Sequence, residues 1–178
     1  MSKIIIVDVE ADGPVPGINS MVCFGAVVVD KEGKFDQTFY GELAPISNDF
    51  NPEALSISGF TREQHEAFKP ALNTMVEFNE WLLNLGNDNK VLYSDNNQFD
   101  GMWMNYYCHR FLGKNPFGFS SQRIGNIFHG FLNNPHYKWK KHRNYKYGFK
   151  HTHHPLDDCK ANAAALLYLY HQGYKLFN

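Results

Sequence analysis

Three stretches of the chain hold residues able to do metal or acid–base chemistry, and the first sets the terms. Residues 4–10, Ile-Ile-Ile-Val-Asp-Val-Glu, read as a buried β-branched strand that acquires two acids near its end, where charge is costly unless something compensates it. Side chains alternate along a strand, so Asp8 and Glu10 point the same way. Two such carboxylates repel, and at neutral pH they call for a cation or a shared proton. A lone Asp-x-Glu also fits a strand running out to a solvated edge; the other two stretches bear on which reading holds. Asp100 closes the run Asn96-Asn97-Gln98-Phe99-Asp100, and His153 stands five residues before Asp158.

The elements that must position these groups can be read in chain order. After the first strand, Asp12-Gly13-Pro14-Val15-Pro16-Gly17 is turn chemistry, and without a Lys-Ser/Thr ending it is not a phosphate-binding P-loop. Residues 21–29 are strongly β-forming, residues 31–34 read as a reversal, and residues 35–43 can return as a third strand, giving an antiparallel meander. Asn51-Pro52-Glu53 looks like an N-cap followed by proline, and Thr61 with Gln64 fits a capping box, so two short helices are expected. Leu72, Met75, Phe78, Leu82 and Leu85 recur at helical spacing up to Gly86. Residues 90–94 form the next strand and run into Asp95-Asn96-Asn97, which can cap a helix holding Asp100 in its first turn. In that helix Phe99, Trp103, Tyr107 and Phe111 share a core-facing stripe. Another helix is expected within residues 120–132, residues 133–150 read as a loop, and a last helix opens at Pro155 and stops near Gly173. Every candidate acid thus falls at an element end, where active sites of α/β sheets gather.

A chain of 178 residues with 43% apolar content suits one well-buried domain, taken as residues 1–178. It has no long uncharged apolar run and no signal-peptide pattern, so a soluble, cytoplasmic protein without a membrane partner is expected. Cys23, Cys108 and Cys159 are odd in number and far apart, which argues for buried thiols rather than a disulfide framework or a zinc ribbon. Charge is divided along the chain: residues 1–100 hold 16 acids against six Lys and Arg, whereas residues 101–156 hold nine Lys and Arg and no acid. Such asymmetry suggests a polyanionic partner.

Asp8-Val9-Glu10, Asn96-Asn97-Gln98-Phe99-Asp100 and His153-x4-Asp158, in that order and on these elements, resemble the motifs of the DEDDh superfamily of 3′-to-5′ exonucleases, which includes polymerase proofreading subunits and ribonuclease T. A sister group with Tyr-x3-Asp would need tyrosine at 154, which is His154. The chain departs from the family in carrying Pro155 and Cys159 where alanine is frequent, and Asp95 where some members have histidine. The resemblance implies a ribonuclease-H-like α/β fold, a mixed sheet of antiparallel meander plus parallel strands flanked by helices. It assigns Asp8, Glu10, Asp100 and Asp158 to two divalent ions, Mg²⁺ or Mn²⁺ given oxygen-only ligands. His153 would take the proton of the attacking water, a role that suits an imidazole, and the products would be nucleoside 5′-monophosphates. Asp157 lacks the motif offset and is read as a helix-start charge. A zinc reading of His151, His153, His154 and Cys159 matches no common structural spacing, and His151 and His154 are taken as loop or cap residues.

In the loop, Lys138, Lys140, Lys141, Arg143, Lys146 and Lys150 interleave with Tyr137, Trp139, Tyr145, Tyr147 and Phe149. Such mixtures hold single strands by phosphate contact and base stacking, so Lys140, Lys141 and Arg143 are expected to contact a single-stranded RNA or DNA substrate. The resemblance adds Ala11, Asp12 and Met21 beside the terminal nucleotide. Two other readings stand beside the exonuclease: a phosphodiesterase of dinucleotides or very short fragments, and a catalytically silent nucleic-acid-binding module. An aromatic-rich surface is compatible with a homodimer.

Overall fold

The computed structural model describes residues 2–177. Its centre is β1 (Ser2–Ala11), flanked by β2 (Met21–Val29) antiparallel on one side and β4 (Asn89–Ser94) parallel on the other. Beyond them lie β3 (Thr38–Glu42), antiparallel to β2, and β5 (Ser121–Arg123), parallel to β4, so the sheet order is β3-β2-β1-β4-β5. The expected meander with added parallel strands is therefore present.

The continuous apolar run of β1 is explained by burial on both faces. Ile5, Val7 and Val9 pack with Met75 and Phe78 of α3 (Ala71–Asn84) and with Trp103 and Tyr107 of α4 (Asp100–Leu112). Ile4 and Ile6 face the other way, onto Phe128 of α5 (Ile124–Phe131) and Ala163 and Leu166 of α6 (Pro155–His171). By strand alternation Asp8 and Glu10 continue the Ile4–Ile6 side, so both are aimed at the α6 layer. The two short helices are α1 (Pro52–Ile57), capped by Asn51, and α2 (Arg62–Glu66), with the Thr61–Gln64 capping box formed in both directions. Cys23, Cys108 and Cys159 are free and buried.

Three local expectations are corrected. The third strand starts at Thr38, because Phe35 takes a left-handed backbone (φ 50°) and plugs the α6-side core instead of pairing. Leu72 is exposed, and the buried face of α3 runs through Ala71, Thr74, Met75, Phe78 and Leu82. Asp95-Asn96-Asn97 do not cap α4; the chain makes a turn in which Phe99 and Asp100 both donate N–H to the Asn96 carbonyl, and α4 starts without a side-chain cap. The helix expected within residues 120–132 is α5, and β5 at residues 121–123 precedes it.

Gly25 of β2 lies opposite Asp8 in the register, and α6 begins directly above it: a Cβ there would stand 2.5 Å from the Leu156 backbone nitrogen. The Cys159 thiol donates to the Gly25 carbonyl at 3.3 Å. Only glycine lets the helix start approach so closely. Gly25→Ala should therefore cost about 1–3 kcal/mol by overpacking, read as a lower urea midpoint, even though alanine normally stabilises a strand relative to glycine.

Candidate active site

Asp100 is fixed by where a hydrogen-bond ladder ends. β1 and β4 pair only as far as Ile6 and Tyr93; past that point β4 turns away and leaves the Val9 N–H of β1 free of a strand partner. Asp100 accepts it on Oδ1 at 3.3 Å and accepts the Asn96 N–H on Oδ2 at 3.1 Å. Its carboxyl thus ties β1 to the β4–α4 connection and is buried. On the other strand pair, an irregularity between Glu10 and Ala11 breaks the β1–β2 register just after the second acid, a place where such defects re-aim a strand.

Asp158, in the first turn of α6, is fully enclosed. Its Oδ1 accepts the Thr152 N–H at 2.9 Å, its Oδ2 accepts the His153 N–H at 3.1 Å, and His151 Nδ1 lies 2.7 Å from Oδ2. The carboxylate therefore organises the loop that carries the histidine. His153 has a left-handed backbone (φ 61°), leaves 55% of its side chain exposed, and places Nδ1 3.8 Å from Glu10 Oε1. His154 points elsewhere and stacks on Tyr40, with ring centroids 4.8 Å apart. The pairing of His151 with Asp158 was not read from the sequence; the two-residue spacing to His153 was its only sequence signal.

The four carboxylates repel one another. Burial, and then Asp100, Asp158 and Glu10, push Asp8 well above the usual carboxylate range, against a smaller pull from Arg143. Burial, then Asp158 and Asp100, raise Glu10 to about 7; Asp100 is raised to about 7, chiefly by burial. Among the described residues no Lys or Arg forms an ion pair with any of the four. An oxygen-only, electron-rich and uncompensated cluster is what a hard divalent cation fits.

In EDTA the folded chain binds protons at Glu10 and Asp100 more readily than the unfolded chain does, so stability should rise as pH falls from 8 to 6. Each carboxyl titrating near 7 contributes on the order of 1 kcal/mol over that interval. Saturating Mg²⁺ should flatten the trend in urea titrations; an unchanged slope would count against cation binding here. Further acidification meets an opposing group, since burial and then Arg62 hold His65 down at about 4, so its protonation favours the unfolded chain below about 6.5.

The expected substrate contacts fare differently. Asp12 is enclosed: Oδ1 accepts the Ser20 N–H at 2.5 Å, and Oδ2 pairs with Arg62 Nη1 at 3.2 Å. It fastens the loop after β1 to α2. Met21 is fully buried, its N–H donating to the Tyr107 hydroxyl at 2.8 Å, and Ala11 is buried against the α3–α4 core. The side chains of all three serve packing, so the expected place beside a terminal nucleotide falls to their backbone.

In the basic loop the expectation is corrected for Arg143, whereas Lys140 and Lys141 stay exposed. The loop forms a 3-10 turn at Trp139–His142 and packs Tyr137, Trp139, Tyr147 and Phe149 into the α6-side core. Arg143 is buried, donating from Nη2 to Asp95 Oδ2 and from Nε to Asn162 Oδ1, both at 2.9 Å. Lys140 Nζ reaches the same Asp95 oxygen at 2.6 Å, and Arg123 Nε donates to the Asp95 carbonyl at 3.1 Å. Lys141 lies over the Tyr137 ring, 4.5 Å from its centroid. Arg143 is thus a strut between the loop, the β4–α4 turn and α6. The sequence signal was Asn162, a polar residue amid the alanines of α6. Arg143→Ala should destabilise by about 1–3 kcal/mol, because it removes the buried strut and leaves the Asn162 Oδ1 acceptor without its donor; Lys141→Ala should cost under about 0.5 kcal/mol in the same denaturation series.

A mixed five-stranded sheet with acids converging from β1, α4 and α6 defines a ribonuclease-H-like nuclease. Residues 5–166 match the RNase_T family model, described as exonuclease. Among curated proteins, the 3′-5′ DNA exonuclease Cap18 of Escherichia coli is 36% identical over 129 residues, 71% of this chain and 67% of that protein. The chain belongs to this exonuclease family and, with His153 in its third motif, to the DEDDh branch: it is a 3′-to-5′ exonuclease. The fold agrees with the nuclease domain of 3′hExo bound to rAMP, at a TM-score of 0.79 and 20% identity, covering 98% of this chain and 94% of that one. It agrees also with E. coli Exonuclease I in complex with a dT13 oligonucleotide, at a TM-score of 0.74 and 16% identity, over 99% of this chain and 43% of that one.

Proposed function

We propose that the protein shortens single-stranded nucleic acid from its 3′ end, releasing nucleoside 5′-monophosphates, with two divalent ions, Mg²⁺ or Mn²⁺, held by Asp8, Glu10, Asp100 and Asp158. The observation that carries this reading is the set of four carboxylates contributed by three elements, Asp100 and Asp158 buried and Asp8 and Glu10 partly so, with no Lys or Arg paired to any of them among the described residues. When bound, such ions supply an activated water and stabilisation of the leaving 3′ oxygen. The chain's own part is to hold the oxygen ligands rigid, Asp100 through the Val9 and Asn96 amides and Asp158 through those of Thr152 and His153. His153, solvent-accessible and beside Glu10, takes up the water's proton and passes it to solvent. The name of the E. coli relative supports DNA as the strand. The same reading takes residues 1–178 as one exonuclease domain acting in the cytoplasm; no helix among the described residues is long and apolar enough to cross a membrane.

The test is digestion of 5′-labelled single-stranded DNA and RNA with Mg²⁺, Mn²⁺ or EDTA. The expected result is a ladder receding from the 3′ end, present with either ion and absent in EDTA, with DNA cut faster than RNA. Cleavage confined to dinucleotides would replace this reading with the short-fragment phosphodiesterase.

A further inference from the structure

We propose that His151, His153 and Asp158 form a second kind of metal site, selective for Zn²⁺ and related borderline-soft transition ions, whose occupation shuts the enzyme off. One ligand atom from each of the three lies within 4.8 Å of the other two. His151 Nδ1 is already 2.7 Å from Asp158 Oδ2, and the two imidazole rings have their centroids 4.4 Å apart. Ligand atoms around a tetrahedral zinc stand roughly 3.3 Å apart, given bonds of about 2.0–2.1 Å. The cluster must therefore contract on one side and open on the other. Both histidines can do so, since 46% and 55% of their side chains are exposed, whereas Asp158 is held rigidly by two backbone amides.

The donor set separates this site from the one beside it. Imidazole nitrogens favour zinc, copper and nickel, while an all-carboxylate pocket favours magnesium and manganese. Three protein ligands with an open fourth position form a complete zinc site. The other groups in this part of the sequence drop out on geometry: the Cys159 thiol is buried against the Gly25 carbonyl, and His154 is stacked on Tyr40. The inhibitory consequence rests on the function proposed above, because zinc would occupy both His153, the proton acceptor, and Asp158, a ligand of the activating ions. The binding itself does not depend on that reading.

Two measurements separate them. Chelator-stripped protein is titrated with Zn²⁺ by calorimetry and with Co²⁺ by visible absorption, for the native chain, His151→Ala and, as a control, His154→Ala. The native chain and His154→Ala should take up Zn²⁺ with matching affinity and give the intense absorption of low-coordinate Co²⁺. His151→Ala should bind at least tenfold more weakly and lose the band. In Mg²⁺-supported digestion, the zinc concentration that halves each variant's own zinc-free rate should be at least tenfold higher for His151→Ala. Equal zinc affinity and equal inhibition in His151→Ala would overturn the proposal, as would loss of binding in His154→Ala. If the cobalt band depends on His151 but Mg²⁺ supports no digestion by the native chain, the metal site stands and the exonuclease mechanism fails.

Discussion

Asp8→Asn is expected to lower exonuclease turnover by roughly 10³-fold or more, the equivalent of about 4 kcal/mol of transition-state stabilisation, while making the metal-free protein more stable. The two effects have one cause. Asp8 is partly buried on the central strand and is pushed up by burial and by Asp100, Asp158 and Glu10. Asparagine keeps its shape and removes its charge, so the folded state in EDTA at pH 8 loses a repulsion. A gain of about 1–3 kcal/mol is expected from relieving an uncompensated buried charge. The same change removes an oxygen ligand, so the stabilisation conferred on the native chain by Mg²⁺ should shrink. Urea titrations with and without Mg²⁺, run beside a digestion assay, check all three. An Asp8→Asn protein that is inactive and also less stable in EDTA would show the carboxylate to be a structural group instead of a metal ligand.

His153→Ala should separate proton transfer from metal binding. Loss of a positioned general base lowers kcat by roughly 10²–10⁴-fold, yet the four carboxylates remain, so the Mg²⁺-induced stabilisation should persist. The left-handed backbone at this position supplies a control. Asparagine tolerates positive φ better than most residues, so His153→Asn should match the native chain in stability and be as slow as alanine. Since the His153 amide donates to Asp158 through the backbone, neither replacement removes that contact. Retention of most activity in both variants would assign the proton to another acceptor and leave His153 a loop residue.

The residues that were legible in the sequence are those whose surroundings are local. Pro155 and the Thr61–Gln64 box mark helix starts because capping involves only a few neighbouring residues, and residues 21–29 could be bounded as β2 from composition alone. The acids of the site were recognisable from motif order, and β1 alternation gave their common direction. The burial of Arg143 is not legible because its partners, Asp95 and Asn162, lie 48 and 19 positions away; a basic residue in a basic run gives no sign that it is enclosed. The loop aromatics suggest faces for bases, but those faces are taken by one another and by α5: Tyr147 stacks with Phe149 across 5.8 Å, and Phe128 with Trp139 across 5.6 Å. The exposure of Leu72 is not legible because helical spacing is satisfied by either of two adjacent stripes, and Ala71 and Thr74 are too inconspicuous to choose between them.

The parting of β1 and β4 beyond Ile6 and Tyr93 gives the sheet the form of a zipper halted two teeth before the acids. Its position is a matter of strand length, not of any residue in the motifs. Lengthening β4 by a β-forming pair ahead of Asp95 would let the ladder claim the Val9 amide, evict the Asp100 carboxyl and close the site with every motif residue still in place. The catalytic centre is therefore written partly in a chain length, a quantity that a comparison of motifs alone does not register.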